Sequence, residues 1–274
     1  NAALGRYDGL LRSLPNGAVL LSPLTTNEAV LSSRIEGTQA TLEEVLQQDG
    51  GVEAPLERQA DLAEVRNYRT ALLYAENAMK ERPITLSLIK EIHQNLMQDV
   101  RGKDKTPGQF RIDQNWIGRS GCSMGEARFI PPSPLVLQQA LDSWASYISS
   151  VDDDPVLQIA VVHAQFEILH PFKDGNGRIG RAIVEKALSQ GLQCPLPFSI
   201  SKAIEANKKA YYHALQQAEK GLNITDWVEW FVQTLLEAQI FADKLIQFTI
   251  SKWHFFSVFE HQLNERQNKV INRM

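Results

Sequence analysis

Apolar residues recur along this chain mostly at three- and four-residue spacing, the period of helices that bury one face. The clearest stretch is 56–80, where Leu62, Val65, Leu72, Leu73 and Met79 fall near one face. Upstream, residues 27–48 carry Val30, Ile35, Leu42, Val45 and Leu46 in a helical pattern that is interrupted near Gly37 and ended by Gly50 and Gly51. Residues 1–24 hold Pro15, Gly17 and Pro23 and are expected to be irregular. Thr85 or Ser87 opens the next helix, to about Gln98. Ser133-Pro134 opens one to about Ser150, and Asp154-Pro155 opens another to Leu169, because Ser and Asp cap and Pro suits the first turn. Asp152 and Asp153 belong to the same capping loop. After a Gly-rich turn at 170–177, a helix runs to Gln190 and another spans about Lys202 to Lys220. Thr225 caps a long Trp- and Phe-rich helix to about residue 260, and a polar stretch follows. Residues 101–134 differ, with clustered Gly and Pro and two extended pieces, 109–118 and 127–130, that predict a β-hairpin with a loose tip.

Composition narrows the class. The 274 residues are 43% apolar and 22% charged, ordinary values for a folded chain and far from those of a disordered one. Lys plus Arg is 28 against 32 Asp plus Glu, a formal net charge of −4. No global basic excess exists to hold a polyphosphate backbone, so nucleic acid is not the expected partner. Cys122 and Cys194 lie far apart and outside any C-x-x-C, which argues against a disulfide framework and for a reducing compartment. No apolar run reaches the length of a membrane span and no leader pattern follows Asn1, so the expected location is the cytoplasm.

The chemistry concentrates in His170-Pro171-Phe172-Lys173-Asp174-Gly175-Asn176-Gly177-Arg178-Ile179-Gly180-Arg181. Two glycines flank Asn176 at the start of a helix. Glycine lets backbone N–H groups approach a ligand, and a helix start leaves N–H groups unpaired with a partial positive charge. Together they predict an anion cradle suited to phosphate. Arg178 and Arg181, three apart, add fork-shaped donors. Asp174 is a hard oxygen ligand of the kind that holds Mg²⁺ together with substrate phosphates. His170 titrates near neutrality and suits a general base. The set points to phosphoryl or nucleotidyl transfer.

This segment resembles the signature of the Fic family, H-P-F-x-[D/E]-G-N-G-R-x-x-R, at every specified position, and the wider resemblance covers roughly residues 20–260. The resemblance implies transfer of AMP from ATP to a Ser, Thr or Tyr hydroxyl of a target protein, with release of pyrophosphate and modification of the enzyme itself included. On that footing His170 is the base and Asp174 holds Mg²⁺. Gly175, Asn176 and Gly177 line the anion hole, with Ile179 and Gly180 in the same nucleotide-binding segment, and Arg178 and Arg181 hold the β- and γ-phosphates. Phe172 is an anchor without a chemical role. The paired glycines favour AMP transfer over the phosphorylation carried out by the related Doc-type kinases, which lack them.

Ser32, Glu36 and Gly37 match the family's inhibitory motif, [S/T]-x-x-x-E-[G/N]. The resemblance implies that Glu36 pairs with Arg181 and competes with the γ-phosphate for its bidentate fork. The hairpin resembles the family's flap, and Ile117 and Gly118 are the expected contacts for a target segment docked by strand addition. Tyr211 and Tyr212 resemble an aromatic pair beside adenine, one of them expected to touch nucleotide. Glu219 stands where relatives often carry an adenine-contacting Asn.

Other patterns lead nowhere. Gly175–Gly180 matches G-x-G-x-x-G, but a helix precedes it and no acid stands at 197–201. Gly121–Gly125 matches G-x-S-x-G, but Pro131-Pro132 follows where a helix is needed. His163 has too few neighbours at ligand spacing for zinc and is expected in the core, while His93, His213, His254 and His261 carry no readable role. The aromatic stripe from Trp227 to Phe256 reads as packing, part of it a face for a homodimer.

The expected protein is all-α with one small β-hairpin: an inhibitory helical region at 1–84, a Fic domain at 85–222 and a C-terminal helical extension at 223–274. Its expected function is that of an autoinhibited, Mg²⁺-dependent protein adenylyltransferase. Two alternatives stand beside it. One is a hydrolase that uses Glu36 to strip AMP from a modified protein. The other is a DNA-linked regulator with a Fic sensor, because Leu263–Gln267 resembles the approach to a winged-helix domain found in some relatives.

Overall fold

The computed structural model describes residues 17–119, 121–150, 154–192, 199–264 and 266–267. Residues 1–16, Asp152, Asp153, Cys194 and the terminal stretch from 268 lie outside the described residues. The helices are α1 (Gly17–Ile35), α2 (Leu42–Asp49), α3 (Leu56–Ala78), α4 (Leu86–Met97), α5 (Pro134–Ile148), α6 (Pro155–Leu169), α7 (Asn176–Leu192), α8 (Ile200–Ala206), α9 (Lys208–Ala218) and α10 (Thr225–Phe259).

α6 is the axis of the bundle. Ile159, Ala160, Val162, Ala164, Phe166 and Leu169 bury it on several sides, as expected of a helix apolar all round. α5, α7 and α10 pack against it, and α1 lies across α3 and α8. Trp144 and Trp227 bury their rings against α6 and donate their indole N–H groups to the carbonyls of Val162 and Ala160, at 3.0 and 2.8 Å. His163, also buried, stacks on Trp227 and Phe231. The expected packing role of these groups is what the structure has.

Most helix starts fall where their caps predict. Thr85 Oγ1 accepts the Leu88 N–H, Ser133 Oγ that of Leu135, and Asp154 Oδ1 that of Val156. Four expectations need correction. Residues 17–24 were expected to be irregular, yet α1 begins at Gly17 and runs through Pro23. Burial of Leu24, Ala29 and Val30 outweighs local propensity there. The single helix expected at 202–220 breaks at Asn207 (φ −127°, ψ 38°), a residue type that favours helix ends. The capping oxygen of α10 is Asn223 Oδ1, which accepts from the Thr225 N–H at 3.1 Å, rather than Thr225 itself.

The predicted hairpin is a single antiparallel bridge, Ile117 with Phe129, and its tip is one 3₁₀ turn, Met124–Glu126. The reason is local. Residues 109–116 turn their polar groups toward other partners: the Arg111 N–H donates to the Pro171 carbonyl, Asn115 Nδ2 to that of Phe172, and Gln114 Nε2 to that of Pro131. No helix among the described residues is long and apolar enough to cross a membrane.

Candidate active site

The turn between α6 and α7 is over-determined. His170 ends α6 in the left-handed conformation (φ 45°, ψ 60°), uncommon for a residue with a side chain. That turn strands helix-terminal carbonyls, and buried Arg111 collects them. Its Nε donates to the His170 carbonyl at 3.0 Å, and its Nη2 donates to those of Leu169 and Pro132, at 3.2 and 2.6 Å. Asn176 turns its side chain inward, accepting from the Phe172 N–H and donating to the Phe172 carbonyl, both at 2.8 Å. Phe172 is fully buried, stacked on His93 with centroids 3.8 Å apart. His93 Nδ1 accepts the Gly108 N–H at 2.9 Å, so its Nε2–H donates to the Asp174 carbonyl at 3.0 Å. Burial pushes the His93 pKa down to about 4, so the ring is neutral and keeps that tautomer.

The anion cradle is therefore held from behind. Gly175 sits at φ 75°, and a Cβ there would lie 3.2 Å from both Leu96 and Met97. α7 then starts at Asn176 with its first N–H groups at the turn. Asp174 is exposed, and its Oδ1 accepts the Gly175 N–H at 2.6 Å. Among the described residues no cluster of three or more His, Cys, Asp or Glu stands ready for a metal ion. One exposed carboxylate beside a phosphate cradle fits Mg²⁺ that draws its remaining ligands from substrate and water. Burial pushes the His170 pKa down to about 4. The Glu167 carbonyl lies against the ring and favours its cation without completing a hydrogen bond to Nδ1.

Arg181 is buried and taken. Its Nε donates to Ser32 Oγ at 2.8 Å, and its Nη2 donates to the Ser32 carbonyl at 3.1 Å and to Glu36 Oε1 at 2.7 Å. Burial would raise the Glu36 pKa, but the charge and hydrogen bond of Arg181, with Arg178 and Lys208 beyond, hold it below the usual carboxylate value. The Glu36 side chain keeps 33% exposure, so the ion pair stands at an open mouth. Gly37, at φ 108°, closes α1 just beyond. A Cβ on Gly177 would collide with Glu36 Oε1, so this glycine leaves room for the Glu36 carboxylate.

Several expected ligands are placed otherwise. Arg178 is buried rather than on the helix surface, with Nη1 3.3 Å from Glu64 Oε2, which Arg101 grips from the other side. Ile179 is fully buried in the core. Gly180 is buried beneath Glu167, and its carbonyl lies 3.1 Å from His163 Nδ1. Tyr211 is core, its hydroxyl 3.0 Å from His163 Nε2, while Tyr212 keeps partial exposure. Glu219 lies 3.6 Å from Arg128, tying α9 to the flap. Gly118 is exposed, with Cys122 Sγ 2.5 Å from where its Cβ would stand, and Ile117 is half-buried.

Sequence reasoning missed Arg111, His93, Glu64 and Glu167. Glu167 Oε1 is buried without a hydrogen-bond partner, and burial lifts its pKa to about 7. None of the four lies in the signature, and only the fold brings them to it.

The fold and the site are thus a helical bundle with a glycine-bounded helix start, an adjacent histidine and an arginine held by a carboxylate. Comparison with known proteins gives the family. The pattern described as Fic/DOC family N-terminal matches residues 1–77, and that described as Fic/DOC family matches residues 83–188. The chain belongs to the Fic/DOC family. It is 26% identical over 211 residues to a protein of Aquifex aeolicus named "Probable protein adenylyltransferase aq_aa38", covering 73% of this chain and 57% of that protein. It is 29% identical over 141 residues to "Protein adenylyltransferase Fic" of Drosophila mojavensis, covering 50% of this chain and 25% of that protein. The chain thus spans less than two thirds of the length of these relatives. In fold it is similar to a Fic family protein from Desulfovibrio desulfuricans G20, with a TM-score of 0.70 at 21% identity, covering 96% of this chain and 73% of that one. It is also similar to Fic-1 from C. elegans, with a TM-score of 0.68 at 18% identity, covering 90% and 69%.

Proposed function

We propose that this chain is a protein adenylyltransferase restrained by its own α1. The observation that carries the reading is Arg181: within a complete signature loop, its guanidinium is bonded by Ser32 and Glu36 from the same chain. His170, neutral at pH 7 because burial lowers its pKa, takes the proton of a target hydroxyl. The hydroxyl oxygen then bonds to the α-phosphorus of ATP, the bond to the β-phosphate oxygen breaks, and pyrophosphate leaves. The N–H groups at the start of α7 hold the phosphate oxygens. Asp174 would hold Mg²⁺, which would supply charge neutralisation at the phosphates. Glu36 blocks productive ATP because it occupies the fork a γ-phosphate needs. The flap around Ile117 and Gly118 docks the target, and the cytoplasm is the proposed location.

A second reading uses the same site for hydrolysis. The Glu36 carboxylate is ionised and one-third exposed, so it stands where it can orient a water toward an AMP-modified protein. Its Oε1 is already committed to Arg181 at 2.7 Å, which favours transfer.

Incubating Glu36→Gly with Mg²⁺ and ATP labelled on either the α- or the γ-phosphate tests the assignment. The proposed chemistry leaves α-label on protein, no γ-label, and neither when His170→Ala is added. Retention of γ-label indicates phosphorylation instead. Release of AMP from a pre-modified protein favours hydrolysis.

A further inference from the structure

Glu28 lies outside the inhibitory motif, yet it is 2% exposed and every oxygen of its carboxyl is used. Oε2 accepts from Ser199 Oγ at 2.8 Å and from the Ser201 N–H at 3.2 Å, and Oε1 accepts from Ser201 Oγ at 2.6 Å. Ser199 is the N-terminal flanking residue of α8, but its hydroxyl does not cap its own helix. It donates to Glu28, so a carboxylate from α1 stands where the cap of α8 belongs.

Residues 28, 32 and 36 are four apart, so they form one stripe along α1. The stripe binds two partners: Glu28 meets the start of α8, while Ser32 and Glu36 meet Arg181. Lys208 Nζ donates to the Ile35 carbonyl at the end of α1, between Ser32 and Glu36. The α8–α9 segment therefore holds α1 both upstream of the Arg181 contact and within it. Arg34 and Glu205 add an exposed pair at 3.8 Å, which contributes little. Around Glu28 stand Arg181 and Glu185 from α7 and Tyr68 from α3.

We propose that Glu28 is the positioning residue of the brake: its bonds to Ser199 and Ser201 fix α1 so that Ser32 and Glu36 reach Arg181 together. The inference rests on the reading of Glu36 as inhibitory. Glu28 touches neither nucleotide nor target. Its effect on AMP transfer runs through Glu36 alone. A buried anchor of this kind, with three hydrogen bonds, once lost, loosens the helix by about tenfold in population.

The test compares the parent with Glu28→Ala and Glu28→Gln, each alone and with Glu36→Gly, after circular dichroism confirms the helical spectrum. Amide hydrogen exchange of residues 29–36 reads the anchor without any activity. Glu28→Ala is expected to exchange there about tenfold faster, with α6 and α7 unchanged. Glu28→Gln keeps an acceptor for Ser201 and stays near the parent. Transfer of α-labelled AMP rises about tenfold in Glu28→Ala and shows no further rise when Glu36→Gly is present. Parent-like exchange in Glu28→Ala overturns the proposal. So does an effect on transfer that is the same size with and without Glu36. If Glu28→Ala does not fold, Ser199→Ala combined with Ser201→Ala removes both hydroxyl bonds from the other side, leaving only that of the Ser201 N–H, and its exchange decides. If Glu36→Gly itself transfers no AMP, the enzymatic reading fails, while the exchange result still decides whether Glu28 anchors α1.

Discussion

The signature turn at 170–181 and the flap at 109–130 are neighbours built on different principles. The turn is held by side chains from three other segments: Arg111 on its carbonyls and Asn115 on the Phe172 carbonyl from 109–116, His93 under Phe172 from α4, and Ser32 on Arg181 from α1. The flap is tied to that turn at its base through Arg111 and Asn115, while residues 116–130 are held by one bridge, a Trp116 indole N–H donated to the Cys122 carbonyl at 2.9 Å and the Arg128–Glu219 pair at 3.6 Å. Ile112, Trp116, Met124 and Ile130 remain exposed on it. A cradle for phosphate gains from rigidity, because donors fixed in advance lose nothing to reorganisation. A segment that receives extended peptides gains from leaving backbone groups free.

Arg111 gives the sharpest way to break this contrast. Arg111→Met leaves two carbonyls at the end of α6 and that of Pro132 without their donor and costs about 3 kcal/mol or more, read by urea denaturation. A loss below about 1 kcal/mol means the turn is not held as described.

Next comes pH. The folded pKa of His93 is about 4, below its ordinary value of 6.5. Below pH 6.5 the unfolded chain takes a proton that the folded chain refuses. This contribution is complete above pH 6.5 and is lost as pH falls toward 4, at about 1.36 kcal/mol per unit or roughly 3 kcal/mol in all. Glu28 and Glu167 act with the opposite sign, since their raised pKa of about 7 makes the folded chain the better proton binder between pH 7 and 4.5. Comparing parent with His93→Gln isolates the histidine: the variant's stability declines less steeply between pH 6.5 and 4. Parallel curves indicate a His93 that titrates normally.

Gly175→Ala forces a side chain into φ 75° against Leu96 and Met97, and a loss of about 1–2 kcal/mol is expected in the melting profile. The smallest effect on stability belongs to the flap. Ile117→Pro removes the N–H that donates to the Phe129 carbonyl at 2.8 Å, and the melt shifts by less than about 1 kcal/mol. Labelled transfer by Glu36→Gly nonetheless drops several-fold when the same change is added. Full transfer with a broken bridge removes the docking role.

The same contrast explains what the sequence revealed. Asp154-Pro155 and Thr85 announce α6 and α4 because their caps act on residues two or three away. The twelve-residue signature and Ser32–Gly37 are local strings, legible through their likeness to a known pattern. Arg178 was expected on the helix surface, but its partner Glu64 on α3 draws it inside, and of the two tyrosines Tyr211 is the core one because its hydroxyl partner His163 lies on α6. Arg111 and His93 carry no local mark, since each acts only on a turn about 60 to 80 residues away. The hairpin was overstated because a period of two in 109–116 does not reveal that its polar groups are committed to the turn.

The central claim is that Glu36 holds Arg181 against productive ATP. The most direct measurement is the initial rate of AMP transfer from α-labelled ATP by the parent and by Glu36→Gly at the same protein and Mg²⁺ concentrations. Loss of a charge-assisted hydrogen bond worth about 1.5–3 kcal/mol predicts a rate at least roughly tenfold higher in Glu36→Gly. Equal rates in the two chains contradict the account.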